Sequence, residues 1–123
     1  MKKILIIEDE KDLIELLKIE LESESYCVSY AYSGEEGLEK YHQEQPDLII
    51  LDLMLPKING YEVARVIRRD HNDEKTCILM LTAKTEDADR IVGRLRGAQE
   101  YMPKPFDVYT LLKKIRNLLG EGD

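Results

Sequence analysis

Glu8-Asp9-Glu10, Asp52, Thr82-Ala83 and Lys104-Pro105 bring carboxylates, a hydroxyl and an ammonium to the ends of apolar runs. Oxygens from Asp and Glu suit a hard cation, and Mg²⁺ in particular prefers to touch a substrate phosphate as well. Without a cation, three clustered carboxylates repel one another and drive at least one pKa upward. An Asp carboxylate can also attack phosphorus to give an aspartyl phosphate. A hydroxyl, a backbone amide and an ammonium nearby would then stabilise the charge on the transferred phosphoryl oxygens. Each piece alone has an ordinary explanation. Glu8–Glu10 could be acidic residues at a helix N-terminus, Asp52 could cap a turn, Thr82 could be an N-cap and Lys104 a surface lysine. Their meeting at one place needs a single explanation.

The elements that bring them together alternate between strand and helix. Ile4–Ile7, Leu48–Leu51 and Ile78–Leu81 are continuous apolar runs, as buried strands of a parallel sheet are. Tyr26–Tyr32 and Glu100–Met102 are mixed or short and belong at the edges. Between them lie helical patterns: one opening at Glu10-Lys11-Asp12 with Leu13, Ile14, Leu17 and Leu21; one from Ser33 to Glu44. In the latter, Ser33 and Glu36 form a capping box. A third, after the Pro56–Gly60 turn, carries Val63, Ala64 and Ile67 before the breaking sequence Asp70–Asp73. Glu86–Leu95 and a final helix capped by Asp107 complete the set. The expected fold is therefore α/β: a doubly wound (βα)5 domain with a five-stranded parallel sheet of flavodoxin-like order 2-1-3-4-5. In such a sheet the carboxyl ends of the strands share one edge, which is where the loaded residues sit.

Composition narrows the function. The 123 residues suffice for one domain, expected over 1–119 with 120–123 as a flexible tail. Eighteen basic residues against 25 acidic ones give a net charge of −7. A field of that sign opposes phosphate backbones, so no direct nucleic-acid binding is expected. No run is long enough to span a membrane, and Met1-Lys2-Lys3 is too soon followed by Glu8 for a signal peptide. A cytoplasmic location is expected. Cys27 and Cys77 lie in strand-like runs without CxxC spacing, which predicts buried free thiols.

Four segments resemble response-regulator receiver domains: Ile4–Glu10, Leu51–Gly60, Leu81–Ala83 and Gly97–Phe106. The intervals from Asp52 to Thr82 and from Thr82 to Lys104 match as well, and the resemblance covers essentially the whole chain. It implies a phosphoacceptor of a two-component phosphorelay, with Asp52 as acceptor and Thr82, the Ala83 amide and Lys104 on the phosphoryl group. Mg²⁺, with Mn²⁺ as a substitute, would be held by Asp9, Asp52 and the Met54 carbonyl, and by Glu8 through water. The Lys104–Pro105 peptide would be cis. Tyr101 would be the aromatic switch, turning inward as the Thr82 hydroxyl moves. Met54 and Lys84, two residues beyond Asp52 and Thr82, would tune the lifetime of the phosphate.

The resemblance also implies partners: a histidine kinase or a histidine phosphotransfer protein, and a downstream target or output domain. That target would meet the face of Glu86–Leu95, Glu100–Met102 and Asp107–Leu119. The chain would be a signalling phosphoacceptor rather than a turnover enzyme, catalysing its own Mg²⁺-dependent phosphorylation and slow dephosphorylation. Assembly is expected as a monomer or a phosphorylation-dependent dimer. Some positions depart from the common pattern. Glu8 replaces a more frequent aspartate, and Gln99 and Thr110 stand where DNA-binding members often carry acidic residues. A Mg²⁺-dependent phosphatase would need an acid two positions beyond its nucleophile, where this chain has Met54. His42 and His71 are expected on the surface.

Overall fold

The computed structural model describes residues 1–83 and 97–121. Helix Glu86–Leu95 and Lys84, both singled out from the sequence, lie outside the described residues. Five strands run parallel: β1 (Lys3–Ile7), β2 (Cys27–Ala31), β3 (Leu48–Asp52), β4 (Cys77–Ala83) and β5 (Glu100–Lys104). Their order is β2-β1-β3-β4-β5, as the distribution of apolar runs requires. Every residue of β3 is buried, whereas β2 and β5 at the edges are only partly so.

Alternation along the strands divides the core into two layers. Ile4, Ile6, Leu48, Ile50, Leu79 and Leu81 face α1 (Lys11–Ser23) and the C-terminal helix (Val108–Leu118), meeting Ile14, Leu17, Leu111 and Ile115. Leu5, Ile7, Ile49, Leu51, Ile78 and Met80 face the other way, toward Tyr41 of α2 (Gly34–Glu44) and Val63, Ala64 and Ile67 of α3 (Gly60–Arg65). Each such aliphatic side chain removed from water contributes about 1.5–3 kcal/mol.

Local chemistry sets the helix ends. Ser33 Oγ accepts the Glu36 amide, as the capping box requires, but the Glu36 carboxylate reaches back to the amide of Tyr32 rather than that of Ser33. Asn59 and Asp107 cap the third and last helices through the amides of Glu62 and Tyr109. The third helix does not stop at Arg65; it runs on through a π-helical turn, Val66–Asp70. Beyond it, Asp73 accepts hydrogen bonds from the Tyr41 and Thr76 hydroxyls and from the amides of Lys75 and Thr76. Arg68 donates to the carbonyls of Gly97 and Asp73 and to Gln99 Oε1.

One expectation needs correction. Cys27 is exposed, because it starts the edge strand β2, beyond which no further strand lies among the described residues; Cys77 is only partly buried, its Sγ 3.4 Å from the Leu118 carbonyl. Near the end of the described chain the Tyr26 hydroxyl donates to Glu121 at 2.7 Å and Arg116 pairs with Glu24 at 3.0 Å. His42 and His71 are exposed, as expected. Among the described residues no helix is long and apolar enough to cross a membrane.

Candidate phosphoacceptor site

Strand register gathers the site. Ile7 of β1 lies opposite Leu51 of β3, so Glu8 and Asp52, each one residue on, leave adjacent strands side by side. Asp52 in turn lies opposite Leu81 of β4, just before Thr82, and Ala83 lies opposite Lys104 of β5. Four strands thus deliver their final side chains to one edge. The Lys104–Pro105 peptide is cis, as the resemblance implied.

Glu8 is fully buried and Asp52 and Thr82 are each 4% exposed, while Asp9 is exposed. Glu8, Asp9 and Asp52 each present a carboxylate oxygen, and these oxygens lie within 4.8 Å of one another. Such a group of hard donors fits a divalent cation. Asp52 Oδ1 accepts the Met54 amide at 3.0 Å, which fixes the carboxylate of the candidate nucleophile. The Met54 side chain itself is 63% exposed. The loop after β3 is held tightly: the Leu53 amide donates to Leu81, and the Gly60 amide to Leu53.

Lys104 Nζ stands 2.7 Å from Glu8 Oε1 and 3.5 Å from Asp52 Oδ2. Burial would lower the pKa of this ammonium, but the hydrogen bond to Glu8 and the charges of Asp52, Glu8 and Glu10 outweigh it and raise it. Glu8 is pushed up to about 7, chiefly by burial and further by the charge of Asp52, against the lowering effect of Lys104 and the Glu10 amide. The pairing of Glu8 with Lys104 was not foreseen from the sequence, which assigned Glu8 to a metal-bound water. Glu10 is exposed, as expected of a residue facing away. Tyr101 lies on β5 beside Met80 and is 49% exposed, its ring outward. Gly60 is a further contributor, packed against the Asp52 backbone where any Cβ would collide.

The sequence model of the response regulator receiver domain matches residues 4–116. The chain belongs to that family. Response regulator ArlR of Staphylococcus saprophyticus is 47% identical over 119 residues, covering 97% of this chain and 53% of that protein. ArlR of Staphylococcus aureus is 46% identical with the same coverage. The chain therefore spans about half the length of the curated relatives it matches. Among solved structures, response regulator TrrA of Thermotoga maritima, in complex with Mg²⁺-BeF, is 39% identical with a TM-score of 0.83, covering 96% of this chain and 99% of that one. Chemotaxis response regulator CheY4 of Vibrio cholerae is 31% identical with a TM-score of 0.86, covering 96% and 98%. The general role of a receiver domain is to accept a phosphoryl group in two-component signalling, and a histidine kinase partner and an output are implied by that role. The acidic cluster of Glu8, Asp9 and Asp52 fits the Mg²⁺ site of such domains.

Proposed function

We propose that Asp52 accepts the phosphoryl group from the phosphohistidine of a partner kinase or phosphotransfer protein. The observation that carries this is a nearly buried carboxylate at the end of the central strand, with two further carboxylates in reach and an ammonium 3.5 Å away. A buried carboxylate in such company needs a partner or a task. An Asp52 oxygen forms the bond to phosphorus as the P–N bond to the imidazole breaks, and the imidazole departs with that electron pair. Thr82, the Ala83 amide and Lys104 stabilise the phosphoryl oxygens during transfer. Bound Mg²⁺, or Mn²⁺ in its place, would neutralise the charge shared by carboxylates and phosphate; Asp9, Asp52 and the Met54 carbonyl would hold it, with Glu8 acting through water.

Output is proposed to follow from a shift between two conformations. The Thr82 hydroxyl moves toward the phosphate, and the ring of Tyr101, now half exposed, turns into the space left behind. The surface altered is that of Glu100–Met102 and Asp107–Leu119, and it would meet a downstream protein or output domain; residues 86–95, expected on the same face, lie outside the described residues. The domain is read as 1–119, cytoplasmic, monomeric or dimerising on phosphorylation, and it catalyses its own phosphorylation and slow dephosphorylation.

Incubation with Mg²⁺ and acetyl phosphate, followed by intact-mass measurement, tests the reading. One added phosphate is expected, lost in Asp52→Asn and when metal is chelated. An acid-stable phosphate that persists in Asp52→Ala would overturn it.

A further inference from the structure

His42 and His71 are the two histidines of the chain, and the fold brings them together. His42 lies in the last turn of α2, and His71 ends the π-helical turn Val66–Asp70, its amide donating to the Val66 carbonyl at 3.1 Å. Their ring centroids are 6.0 Å apart, with the planes tilted by 40°. Burial does not account for this approach, since both side chains stay exposed. The His71 ring also stands edge-on against Tyr41, centroid to centroid 5.2 Å. Tyr41 is nearly buried, and its hydroxyl donates to Asp73 at 2.6 Å. One imidazole is thus braced from the core while the other rides on a helix, so a partner shared by both has less disorder to overcome. Helix α2 leads into β3 and the π-helical turn leads toward β4, which puts the pair at the amino ends of the strands, the edge opposite Asp52.

Neutral imidazole is the common ligand of Zn²⁺, Ni²⁺ and Cu²⁺, whereas carboxylates suit Mg²⁺. With metal–nitrogen bonds of about 2.0–2.1 Å, two imidazoles on one ion have ring centroids about 5–6 Å apart, depending on the angle at the metal. The observed spacing already falls at the upper end of that range, and rotation of two exposed side chains suffices to aim the nitrogens. A net charge of −7 favours a cation as the occupant. We propose that His42 and His71 form a two-point site for a divalent transition-metal cation, which clips the end of α2 to the turn after the third helix. Among the described residues the one close group of three His, Cys, Asp or Glu side chains is Glu8, Asp9 and Asp52, so water fills the remaining positions around the ion. The two sites select different metals, a hard cation at the acidic cluster and a borderline one at the imidazoles.

The test uses the untagged chain in saturating Mg²⁺, with Zn²⁺ as the probe. Because the chain has two histidines, the imidazole C–H resonances report both ligands without ambiguity. Both rings are expected to shift along one titration curve, at one Zn²⁺ per chain. Urea unfolding at a Zn²⁺ concentration ten times the measured dissociation constant should then favour the folded state about tenfold. His42→Gln and His71→Gln should each remove that gain, and the double variant should remove no more than either alone. A shift at one ring only, or a gain that survives in either single variant, overturns the proposal. One ion per two chains would put the imidazoles on different molecules and overturn the clip. A Zn²⁺ response at the Asp9 and Asp52 amides with silent imidazoles assigns the ion to the acidic cluster and overturns it too, as does no response at all.

Discussion

Gly60 is pressed against Asp52: a Cβ at Gly60 would lie 2.5 Å from the Asp52 carbonyl oxygen and 2.8 Å from Leu53 Cα. Both obstacles are backbone, so neither can swing aside as a side chain could. The start of the third helix and the candidate phosphoacceptor are thereby placed by a single contact.

Gly60→Ala is accordingly expected to destabilise the fold by about 2 kcal/mol through overpacking, and to weaken Mg²⁺ binding by shifting the Asp52 loop. Gly97→Ala is the control, because its nearest obstacle is the Ala64 methyl at 3.3 Å. Urea midpoints for the two variants decide the matter; equal midpoints would mean the loop yields freely.

Millimolar Mg²⁺ is expected to raise the melting temperature of the wild type, since it relieves repulsion among Glu8, Asp9 and Asp52. Asp52→Asn should raise the melting temperature without metal by removing one charge, and Asp9→Ala should abolish phosphorylation. Scanning calorimetry with Mg²⁺ and with chelator checks the first two. Coincident wild-type curves would count against the site.

Asp73 supplies the clearest pH dependence away from the site. Burial alone would raise its pKa, but the Thr76 hydroxyl, the Tyr41 hydroxyl and the amides of Thr76 and Lys75 together hold it well below the usual carboxylate range. A depressed folded pKa stabilises the protein above the unfolded value of 3.8, and that stability is lost as pH falls below it. Asp73→Asn is thus expected to be less stable than wild type at pH 7, with the gap closing toward pH 2. A gap independent of pH would show that the charge is irrelevant.

The phosphorylated state is expected to be long-lived. Hydrolysis requires a water held in line behind phosphorus, and Met54, 63% exposed, has no group to orient one. Lys84, which lies outside the described residues, offers no carboxylate or amide either. Met54→Asn with Lys84→Glu should shorten the half-life of the phosphate without blocking its uptake. Unchanged decay by radiolabel or intact mass would mean the rate is set elsewhere.

The sheet was legible because its central strands are buried on both faces. Leu48–Leu51 has no polar position to mislead, and the loaded residues after it mark the strand end. Cys27 was misread because an apolar residue type says nothing of whether its strand has a neighbour. The π-helical turn at Val66–Asp70 aims Arg68 at Gly97 and Gln99, contacts that arise from tertiary packing and leave no periodic trace. The Glu8–Lys104 pair joins residues 96 positions apart.

The bonds from Tyr26 to Glu121 and from Glu24 to Arg116 anchor the far end of the C-terminal helix to the turn between α1 and β2. Its near end starts at Val108, three residues beyond Pro105 and the strand end that carries Lys104. A stiff rod pinned at one end and pushed at the other swings rather than slides. Any rearrangement at the end of β5 would therefore be felt as a tilt about Arg116, largest at Tyr109, the most exposed tyrosine, and smallest near Arg116 itself.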